Sequence, residues 1–368
     1  MESFLELLLS LTERSGVIAR LIRGDKDLFG SLVEEKSGKA KNQRFEVDFK
    51  TLSDTLIQEL FKHFIGEKFP QLKGFIFGEE TNTFTLSNGE NVTIEIGPTP
   101  VDTAHMLSRL LDPKLAGVLV ETIHKEMKTC LKEEDREKVK LLKYLDERQL
   151  GVWIDPLDST NEYVRGVTGS SSDGLYSQSI HCVTTLVGVF DRITGKPLIG
   201  VINQPFHSTD SEGVWCGWSL WGISEEGLIG MSSPLIPVRK GDNLSKKICL
   251  VSSSEDSHLL DKLNASTEWR TINVSGCGYK LLSVITGLAD AYVLSKDSSF
   301  KWDTCGPHAI LLAMGGNLEP FVRQGEGGGE VLYHCCGEGE GSKCWANKDG
   351  IIAYLSKDVV SSLLSVID

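Results

Sequence analysis

Apolar residues recur at helical spacing in two stretches near the start of the chain. Over 4–22 they fall on one face of a helix, and over 47–64 leucines and a phenylalanine repeat every fourth residue. Thr51 or Ser53 offers a start signal for the second helix. The pattern therefore predicts two amphipathic helices, with Asp54 in the first turn of the second.

Two short apolar runs end in acidic residues. FIFGEE (75–80) predicts a buried strand that ends at Gly78 and presents Glu79 and Glu80 from a loop. GVWID (151–155) predicts a second buried strand, which the following proline should stop because proline cannot donate to a strand ladder. We therefore expect these acids at the ends of strands.

The remaining pattern divides the chain into two halves. Residues 179–222 read as successive antiparallel strands, whereas from Lys246 onward strand-like and helix-like segments alternate. We expect an α/β (α+β layered) fold with an N-terminal α+β domain over 1–235 and a C-terminal α/β domain over 236–368. Two further segments, the charged 125–149 and the glycine-rich 325–343, predict a solvated helical insertion and a mobile loop around a short strand.

Composition narrows the class of protein. The chain has 368 residues, 40% hydrophobic content and a formal net charge of −13, which argues against nucleic acid as the main partner. Glu2 and Glu6 interrupt the apolar N-terminus, which argues against a signal peptide. No apolar run is long enough to span a membrane. The nine cysteines form no CxxC pair, and a metal site at His334, Cys335 and Cys336 is less favoured than a loop. We expect a cytoplasmic monomer with reduced thiols that binds no membrane.

The segment WIDPLDSTNEY (153–163) concentrates polar chemistry after the second buried strand. Asp155 and Asp158 offer two carboxylates, and Leu157 between them offers a carbonyl oxygen. Ser159 and Glu162 have the spacing of a capping box, so a helix is expected to start there, with amides that favour an anion. An ordinary turn with a helix cap would explain the same residues.

Acids elsewhere in the chain favour a metal site. Asp54 is expected at a helix start and Glu79 with Glu80 at a strand end, while Asp303 precedes a helical stretch that ends at Gly315. Each alone is explained by a helix cap or a solvated loop pair. Taken together, oxygen ligands of this kind suit Mg²⁺, which binds carboxylates and substrate phosphates.

These elements match a family signature in order. Asp54, the Glu79–Glu80 pair, DPLDST (155–160) and WD (302–303), which eleven residues separate from Gly315–Gly316, resemble the signature of the magnesium-dependent, lithium-sensitive phosphomonoesterases. That superfamily includes inositol monophosphatase and fructose-1,6-bisphosphatase. The resemblance implies alternating α-β-α-β-α layers of the sugar-phosphatase type.

Four further segments narrow the resemblance to the branch of the family that acts on inositol polyphosphates. They are GKPLIGVINQPF (195–206), the GxGYK of 276–280, FKWDTC (300–305) and WANKDGIIAY (345–354). The resemblance implies removal of the 1-phosphate of inositol 1,4-bisphosphate and inositol 1,3,4-trisphosphate. A 3′-phosphatase of adenosine 3′,5′-bisphosphate and a catalytically silent phosphoinositol sensor are the alternatives.

The same resemblance assigns roles to individual residues. Two or three Mg²⁺ ions, with Li⁺ as an inhibitor, are the implied cofactors, and Asp54, Thr160 and Glu79 are the implied catalytic residues. A basic residue for a second phosphate is expected near Asp256, where this chain has an acid. The implied metal ligands are Asp54, Glu79, Glu80, Asp155, Leu157, Asp158 and Asp303, and the implied substrate contacts are Asp158, Ser159, Thr160, Ser254, Gly276 and Lys280.

Overall fold

The computed structural model describes most of the chain. Both predicted N-terminal helices are present, the first covering Phe4–Gly24 and the second Leu52–Lys68, so each runs a few residues past the end of its apolar pattern. The described residues are 4–25, 29–36, 49–86, 88–129, 131–140, 146–225, 227–232, 246–321, 329–334 and 341–367. The helices are α1 (Phe4–Gly24), α2 (Leu52–Lys68), α3 (Pro100–Leu107), α4 (Pro113–His124), α5 (Glu133–Lys140), α6 (Thr160–Arg165), α7 (Ser257–Ala265), α8 (Cys277–Ile285), α9 (Lys301–Ala313) and α10 (Lys357–Ile367).

The strands form two large sheets and three two-stranded pairs among the described residues. They are β1 (Val33–Glu35), β2 (Phe49–Thr51), β3 (Ile76–Gly78), β4 (Thr83–Thr85), β5 (Asn91–Thr93), β6 (Leu150–Asp158), β7 (Ser171–Ser172), β8 (Leu175–Tyr176), β9 (Thr184–Asp191), β10 (Pro197–Thr209), β11 (Trp215–Ile223), β12 (Leu228–Met231), β13 (Lys247–Val251), β14 (Trp269–Asn273), β15 (Ala291–Leu294), β16 (Asn317–Glu319) and β17 (Ile351–Tyr354).

The two large sheets differ in strand direction. The first has six strands in the order β12-β11-β10-β9-β6-β3 and is antiparallel except for the parallel pair β3 and β6. The second has five strands in the order β14-β13-β15-β17-β16, with β13 parallel to both β14 and β15. In each sheet, the residues that follow neighbouring parallel strands therefore lie at the same edge, because the carboxyl ends of parallel strands meet there.

Helices separate and cover the sheets. Helices α1 and α2 pack on one face of the six-stranded sheet, α8 and α9 lie between the two sheets, and α7 and α10 cover the outer face of the second sheet. Three clusters of buried apolar side chains fill the spaces between these layers. The order is therefore α-β-α-β-α, which confirms the predicted fold class. No helix within the described part of the chain is long and apolar enough to cross a membrane.

Glycines allow α9 to lie very close to the six-stranded sheet. A Cβ atom added to Gly200 of β10 would lie 1.9 Å from the Gly306 oxygen, and one added to Gly188 of β9 would lie 2.4 Å from the Gly306 nitrogen. Contacts this short are not possible between non-bonded atoms, so any larger residue would push the helix away. The close approach fixes the position of the first turn of α9, which carries Asp303.

Most of the expected elements are present, but several details differ. Helix α2 begins at Leu52 because the Thr51 hydroxyl accepts a hydrogen bond from the Asp54 amide, as one of the two predicted start signals required. The strand β14 and the helices α3 and α4 were not predicted. In the glycine-rich segment, the described residues 329–334 form no strand. Residues 130 and 141–145 of the charged segment, the predicted boundary at 235/236, Cys335 and Cys336 lie outside the described residues.

The strand β6 continues past Pro156, contrary to expectation. Asp155 pairs with Leu186 of β9, and Asp158 pairs with Thr184, so three steps along β6 match two along β9. Such a bulge accommodates a proline because one residue leaves the hydrogen-bond ladder. The bulge turns both aspartates toward the same side of the sheet edge.

Candidate active site

Three carboxylates from distant parts of the chain converge at one edge of the six-stranded sheet. Asp155 and Asp158 lie on the bulge of β6, and Asp303 lies in the first turn of α9. One oxygen of each lies within 4.8 Å of the others. Asp155 is 1% exposed and Asp303 is 7% exposed. Asp155 Oδ1 is buried and has no hydrogen-bond partner among the described residues, so it is available as a ligand for a cation.

Two backbone amides at the start of α8 hold the Asp158 carboxylate. The amides of Cys277 and Gly278 donate to its oxygens at 3.3 and 2.8 Å. Gly276, just before the helix, has φ 79°, and a Cβ added there would lie 2.3 Å from Ser159 Oγ and 2.6 Å from Asp158 Oδ2. Gly276 is therefore required because only glycine lets the backbone approach these two side chains.

Glu79 reaches the same edge through the parallel pairing of β3 with β6. Its amide donates to the Ile154 carbonyl at 3.3 Å, which places Glu79 beside Asp155 in the register. The Lys36 ammonium lies 2.6 Å from both Glu79 and Glu80, and Lys50 lies 3.3 Å from Glu80. Neither lysine is predictable from the sequence, because nothing in the local pattern around Lys36 or Lys50 shows that its side chain reaches these glutamates.

Asp54 and Thr160 approach each other from two different helices. The amide and hydroxyl of Thr51 donate to Asp54 Oδ2 at 2.7 and 2.5 Å, which leaves Oδ1 directed at Thr160. The Thr160 hydroxyl lies 3.4 Å from Asp54 Oδ1 and 3.0 Å from the carbonyl oxygen of Leu157. The structure therefore brings the expected acid and hydroxyl together.

The predicted capping box at the start of α6 is wrong. Ser159 is the N-cap of α6, but its backbone is left-handed (φ 68°, ψ 43°) and its side chain makes no capping bond. A capping side chain needs an extended backbone at the N-cap to reach the amides of the first turn. Glu162 instead accepts a hydrogen bond from Ser275 at 3.1 Å. The helix does begin at Thr160, as expected.

Aromatic side chains pack directly behind the acidic residues. Trp153 lies 4.9 Å from Phe77, 6.0 Å from Trp302 and 4.9 Å from Trp345, measured between ring centroids. Phe77 and Trp153 each precede an acid of the site by two residues, and Trp302 directly precedes Asp303. This packing fixes the backbone from which the acids project.

Asn347 fixes the start of α9 and was missed as a positioning residue. Its amide nitrogen donates to the Ser299 hydroxyl, the Phe300 carbonyl and the Thr304 hydroxyl at 3.1–3.2 Å. Its oxygen accepts a hydrogen bond from Lys301 at 3.1 Å. The WANK motif, noticed for its resemblance alone, thus holds the turn that carries Asp303.

A cavity of about 260 Å³ opens beside the carboxylates. Ser254 and Lys280 both line it, as the resemblance implied, but the Lys280 side chain is buried. Its ammonium donates to the Val274 carbonyl at 2.9 Å and lies 5.2 Å from the Tyr292 ring centroid. The other residues that line the cavity are Phe49, Glu79, Asp155, Leu157, Asp158, Ser159, Thr160, Asn161, Glu162, Gln178, Ser252, Ser253, Asn273, Val274, Ser275, Gly276, Cys277, Tyr292, Leu294, Ser298, Phe300, Trp302, Asp303 and Ser342.

Burial and mutual repulsion make the site acids hard to ionise. Burial raises the pKa of Asp54 to about 7, with the charge of Glu80 adding to the effect. Burial raises the pKa of Glu79 to about 8 even though Lys36 opposes the shift, and it raises the pKa of Asp303 to about 7, with Asp158 adding to it. The pKa of Asp155 also lies well above its ordinary value because of burial, then Glu79. A bound cation would relieve this cost.

Without metal, the protein is expected to lose stability as the pH rises. The carboxyl groups of Asp54, Glu79 and Asp303 have pKa values of about 7, 8 and 7 when folded, whereas unfolded carboxyl groups titrate near ~4. The folded chain therefore binds more protons, and this contribution to stability is complete below about pH 4 and disappears as the pH passes through about 7–8. In a chelator, we expect Tm to fall by roughly 5–10 °C between about pH 5.5 and about pH 8.5.

Calorimetry with and without Mg²⁺ tests this expectation. Excess Mg²⁺ should raise Tm more at the higher pH, because the ion binds ionised carboxylates and releases protons. A Tm in chelator that stays constant or rises over the same pH range would show that the pKa values of Asp54, Glu79 and Asp303 are not all raised.

The chain matches a known family over nearly its whole length. The model described as "Inositol monophosphatase family" matches residues 18–359. The chain is 38% identical over 392 residues to the inositol polyphosphate 1-phosphatase of Homo sapiens, with 100% of this chain and 97% of that protein covered. It is 27% identical to the 3′(2′),5′-bisphosphate nucleotidase 1 of Mus musculus, over 84% of this chain and 80% of that protein.

Solved structures share the fold. The inositol monophosphatase (IMPase) of Thermotoga maritima aligns with a TM-score of 0.55 and 15% identity, covering 99% of this chain and 96% of that one. At 15% identity, this likeness shows a shared fold and says nothing about a shared function. The layer order described above is therefore that of a known architecture.

Proposed function

Because this chain belongs to the inositol monophosphatase family, it is a phosphomonoesterase, and we propose that its substrates are inositol polyphosphates that carry a 1-phosphate. The proposed reaction removes the 1-phosphate of inositol 1,4-bisphosphate and of inositol 1,3,4-trisphosphate. Full-length identity of 38% to an inositol polyphosphate 1-phosphatase supports this choice over the nucleotidase, which is 27% identical.

The chemistry of the cavity carries the choice of substrate class. A polyol needs many hydrogen-bonding groups, whereas an adenine needs an accessible aromatic or apolar face on which to stack. Seven serines line the cavity together with Asn161, Asn273 and Gln178. Of the four aromatic residues that line it, Trp302 and Tyr292 are buried, and Phe49 and Phe300 are half-buried. Hydroxyl and amide side chains therefore outnumber aromatic rings in the lining, which favours a polyol over an adenine.

The acidic residues fit Mg²⁺. Asp155, Asp158 and Asp303 offer oxygens within 4.8 Å of one another, and Asp155 has an oxygen without a partner among the described residues. These three, with Glu79 and the Leu157 carbonyl, would hold two ions, and Asp54 would contribute to a third. When bound, Mg²⁺ neutralises phosphate charge and makes water more acidic. Glu80 would either support the metal ligands or help to bind the inhibitor Li⁺.

Thr160 and Asp54 have the arrangement of a proton-accepting pair. With Asp54 Oδ2 occupied by Thr51, Oδ1 is directed at the Thr160 hydroxyl at 3.4 Å. We assign to Thr160 the orientation of the attacking water, whose proton passes toward Asp54 as the new bond to phosphorus forms. The bond between phosphorus and the inositol oxygen breaks in the same step, and that oxygen takes a proton from solvent water and leaves as the inositol hydroxyl, so no covalent enzyme intermediate is needed.

Cellular location and oligomeric state are part of the same proposal. We assign the protein to the cytoplasm and to a monomeric state. Among the described residues, Cys182, Cys216, Cys249, Cys277 and Cys305 are free thiols, and Cys216 is exposed. A reducing compartment keeps thiols in that form. Size-exclusion chromatography with light scattering and fractionation of cells test the two assignments directly.

Phosphate release from three substrates tests the proposed function. With Mg²⁺, we expect kcat/KM for inositol 1,4-bisphosphate to exceed that for inositol 1-phosphate and for adenosine 3′,5′-bisphosphate by about tenfold or more, since each lost charge-assisted contact costs about that factor. Added Li⁺ should lower the rate. The wild-type protein in chelator provides the matched blank.

Each other outcome has a definite meaning. Faster release from the nucleotide would keep the phosphomonoesterase and overturn the inositol assignment. Release from none of the three would overturn the assigned substrates and favour a silent phosphoinositol sensor, which binding of inositol 1,4-bisphosphate measured by calorimetry would then detect.

A further inference from the structure

A substrate with two phosphates needs positive charge at two places. The scissile phosphate would meet the ions held by the carboxylates, but a second phosphate must lie elsewhere in the cavity. The family resemblance implies a basic residue near Asp256 for this purpose. The structure places the Asp256 carboxylate at the start of α7, where it accepts the Leu259 amide at 3.0 Å, so it acts as a helix cap.

The cation inside the cavity belongs to the metal end. Among the described residues that line the cavity, Lys280 alone is basic. Lys280 is 4% exposed, and its ammonium donates a hydrogen bond to the Val274 carbonyl. Burial lowers the pKa of Lys280, and the nearby negative charge of Asp158 opposes this shift. Lys280 thus lies beside the carboxylates and leaves the outer cavity without a basic lining residue in the part of the chain described.

Two loops form the outer rim of the cavity at one edge of the second sheet. Ser252, Ser253 and Ser254 follow strand β13, and the segment 295–298 follows strand β15. Because β13 and β15 are parallel neighbours, their carboxyl ends carry both loops to the same edge. Leu294 and Ser298 line the cavity, and Lys296 lies between them in the chain.

The side chain of Lys296 crosses from one rim loop to the other. Its ammonium donates a hydrogen bond to the main-chain oxygen of Ser254, which itself lines the cavity. An ammonium group has three donors, and this neutral carbonyl takes one of them. The neighbouring acid Glu255 accepts hydrogen bonds from the Ser295 amide and hydroxyl, and Asp256 caps α7. Lys296 is therefore anchored at the rim by a neutral group.

We propose that Lys296 binds the second, non-scissile phosphate of the substrate. This inference rests on the proposed function, because it needs a substrate with two phosphates. Lys296 supplies from the loop after β15 the charge that the family resemblance implies near Asp256 on the loop after β13. It makes Lys296 a residue that determines specificity for bisphosphates over monophosphates.

The test compares two substrates that differ by one phosphate. We measure kcat/KM for inositol 1,4-bisphosphate and inositol 1-phosphate with wild-type protein, Lys296→Gln, Lys296→Arg and Lys246→Gln. Lys246 is the matched control, because it also donates to a serine carbonyl, that of Ser266, but at the opposite end of β13. Lys296→Gln should lower the bisphosphate-to-monophosphate ratio about tenfold, mainly through KM. Lys296→Arg should keep most of the ratio, and Lys246→Gln should not change it.

The outcomes separate the two claims. If wild-type protein hydrolyses the bisphosphate and Lys296→Gln leaves the ratio within about twofold, the proposed function stands and the role of Lys296 is wrong. An equal loss for both substrates also overturns that role, because a structural defect would act on both. If wild-type protein does not hydrolyse the bisphosphate, the proposed function fails and the role of Lys296 fails with it.

Discussion

Asp155→Asn is expected to lower kcat for inositol 1,4-bisphosphate by about 10³-fold or more. Asp155 is 1% exposed, lies within 4.8 Å of Asp158 and Asp303 and has an oxygen without a described partner. Asparagine has the same shape but brings no negative charge and turns amide hydrogens toward the other acids. A lost metal interaction costs several kcal/mol, and each ~1.4 kcal/mol is a tenfold change in rate. Steady-state kinetics at saturating Mg²⁺ provide the measurement.

A second aspartate on the same sheet gives the control. Asp191 ends β9, pairs with Leu150 at the far end of β6, and accepts the amides of Ile193 and Thr194. Asp191→Asn should keep its kcat. Asp155→Asn should also lose the rise in Tm that Mg²⁺ causes in wild-type protein, which separates lost metal binding from misfolding. More than a tenth of wild-type kcat in Asp155→Asn would contradict the assignment.

Thr160→Ala is expected to lower kcat by ~10²–10³-fold with little change in KM. The Thr160 hydroxyl is the group that connects the cavity to Asp54 Oδ1, at 3.4 Å, and a positioned acid–base group contributes typically ~10²–10⁴-fold. Alanine removes this hydroxyl while the helix α6 still begins at the same residue. Single-turnover kinetics on inositol 1,4-bisphosphate measure the chemical step itself.

Thr160→Ser separates the hydroxyl from the methyl group. Serine keeps the hydroxyl, so most of the lost rate should return. If Thr160→Ser is as slow as Thr160→Ala, the methyl group and its packing are responsible, and the assigned role in orienting water is wrong. Unchanged turnover in Thr160→Ala would also refute it.

Local pattern was enough to predict much of the architecture. The helices α1 and α2 follow from apolar residues at helical spacing, and the strands β6 and β9–β11 follow from apolar runs. The predictions from local pattern failed where strand pairing in the sheet outweighed the preference of a single residue or motif. Pro156 should have ended β6, but pairing with β9 continues through a bulge to Asp158. Ser159 and Glu162 have capping-box spacing, but the turn after the bulge leaves Ser159 left-handed.

The residues of the candidate site show the same division. The sequence alone singled out Asp155, Asp158 and Asp303, whose carboxylates the structure brings together, because their residue types and ordered spacing carry the family resemblance. Lys36 and Asn347 give no such signal, since a single lysine in a charged stretch and a single asparagine in a turn are common. Their importance arises from partners more than forty residues away in the chain.

What the sequence determined by itself was which carboxylates are candidate metal ligands, where the strongly patterned helices and strands form, and which family the chain resembles. These depend on residue type and short-range spacing, which are written directly in the chain. The tertiary structure alone decided that α9 lies against Gly188 and Gly200, that the carboxylates approach within 4.8 Å, and that Lys296 reaches Ser254. Such contacts depend on how layers pack and strands align, and therefore on energies summed over the whole core.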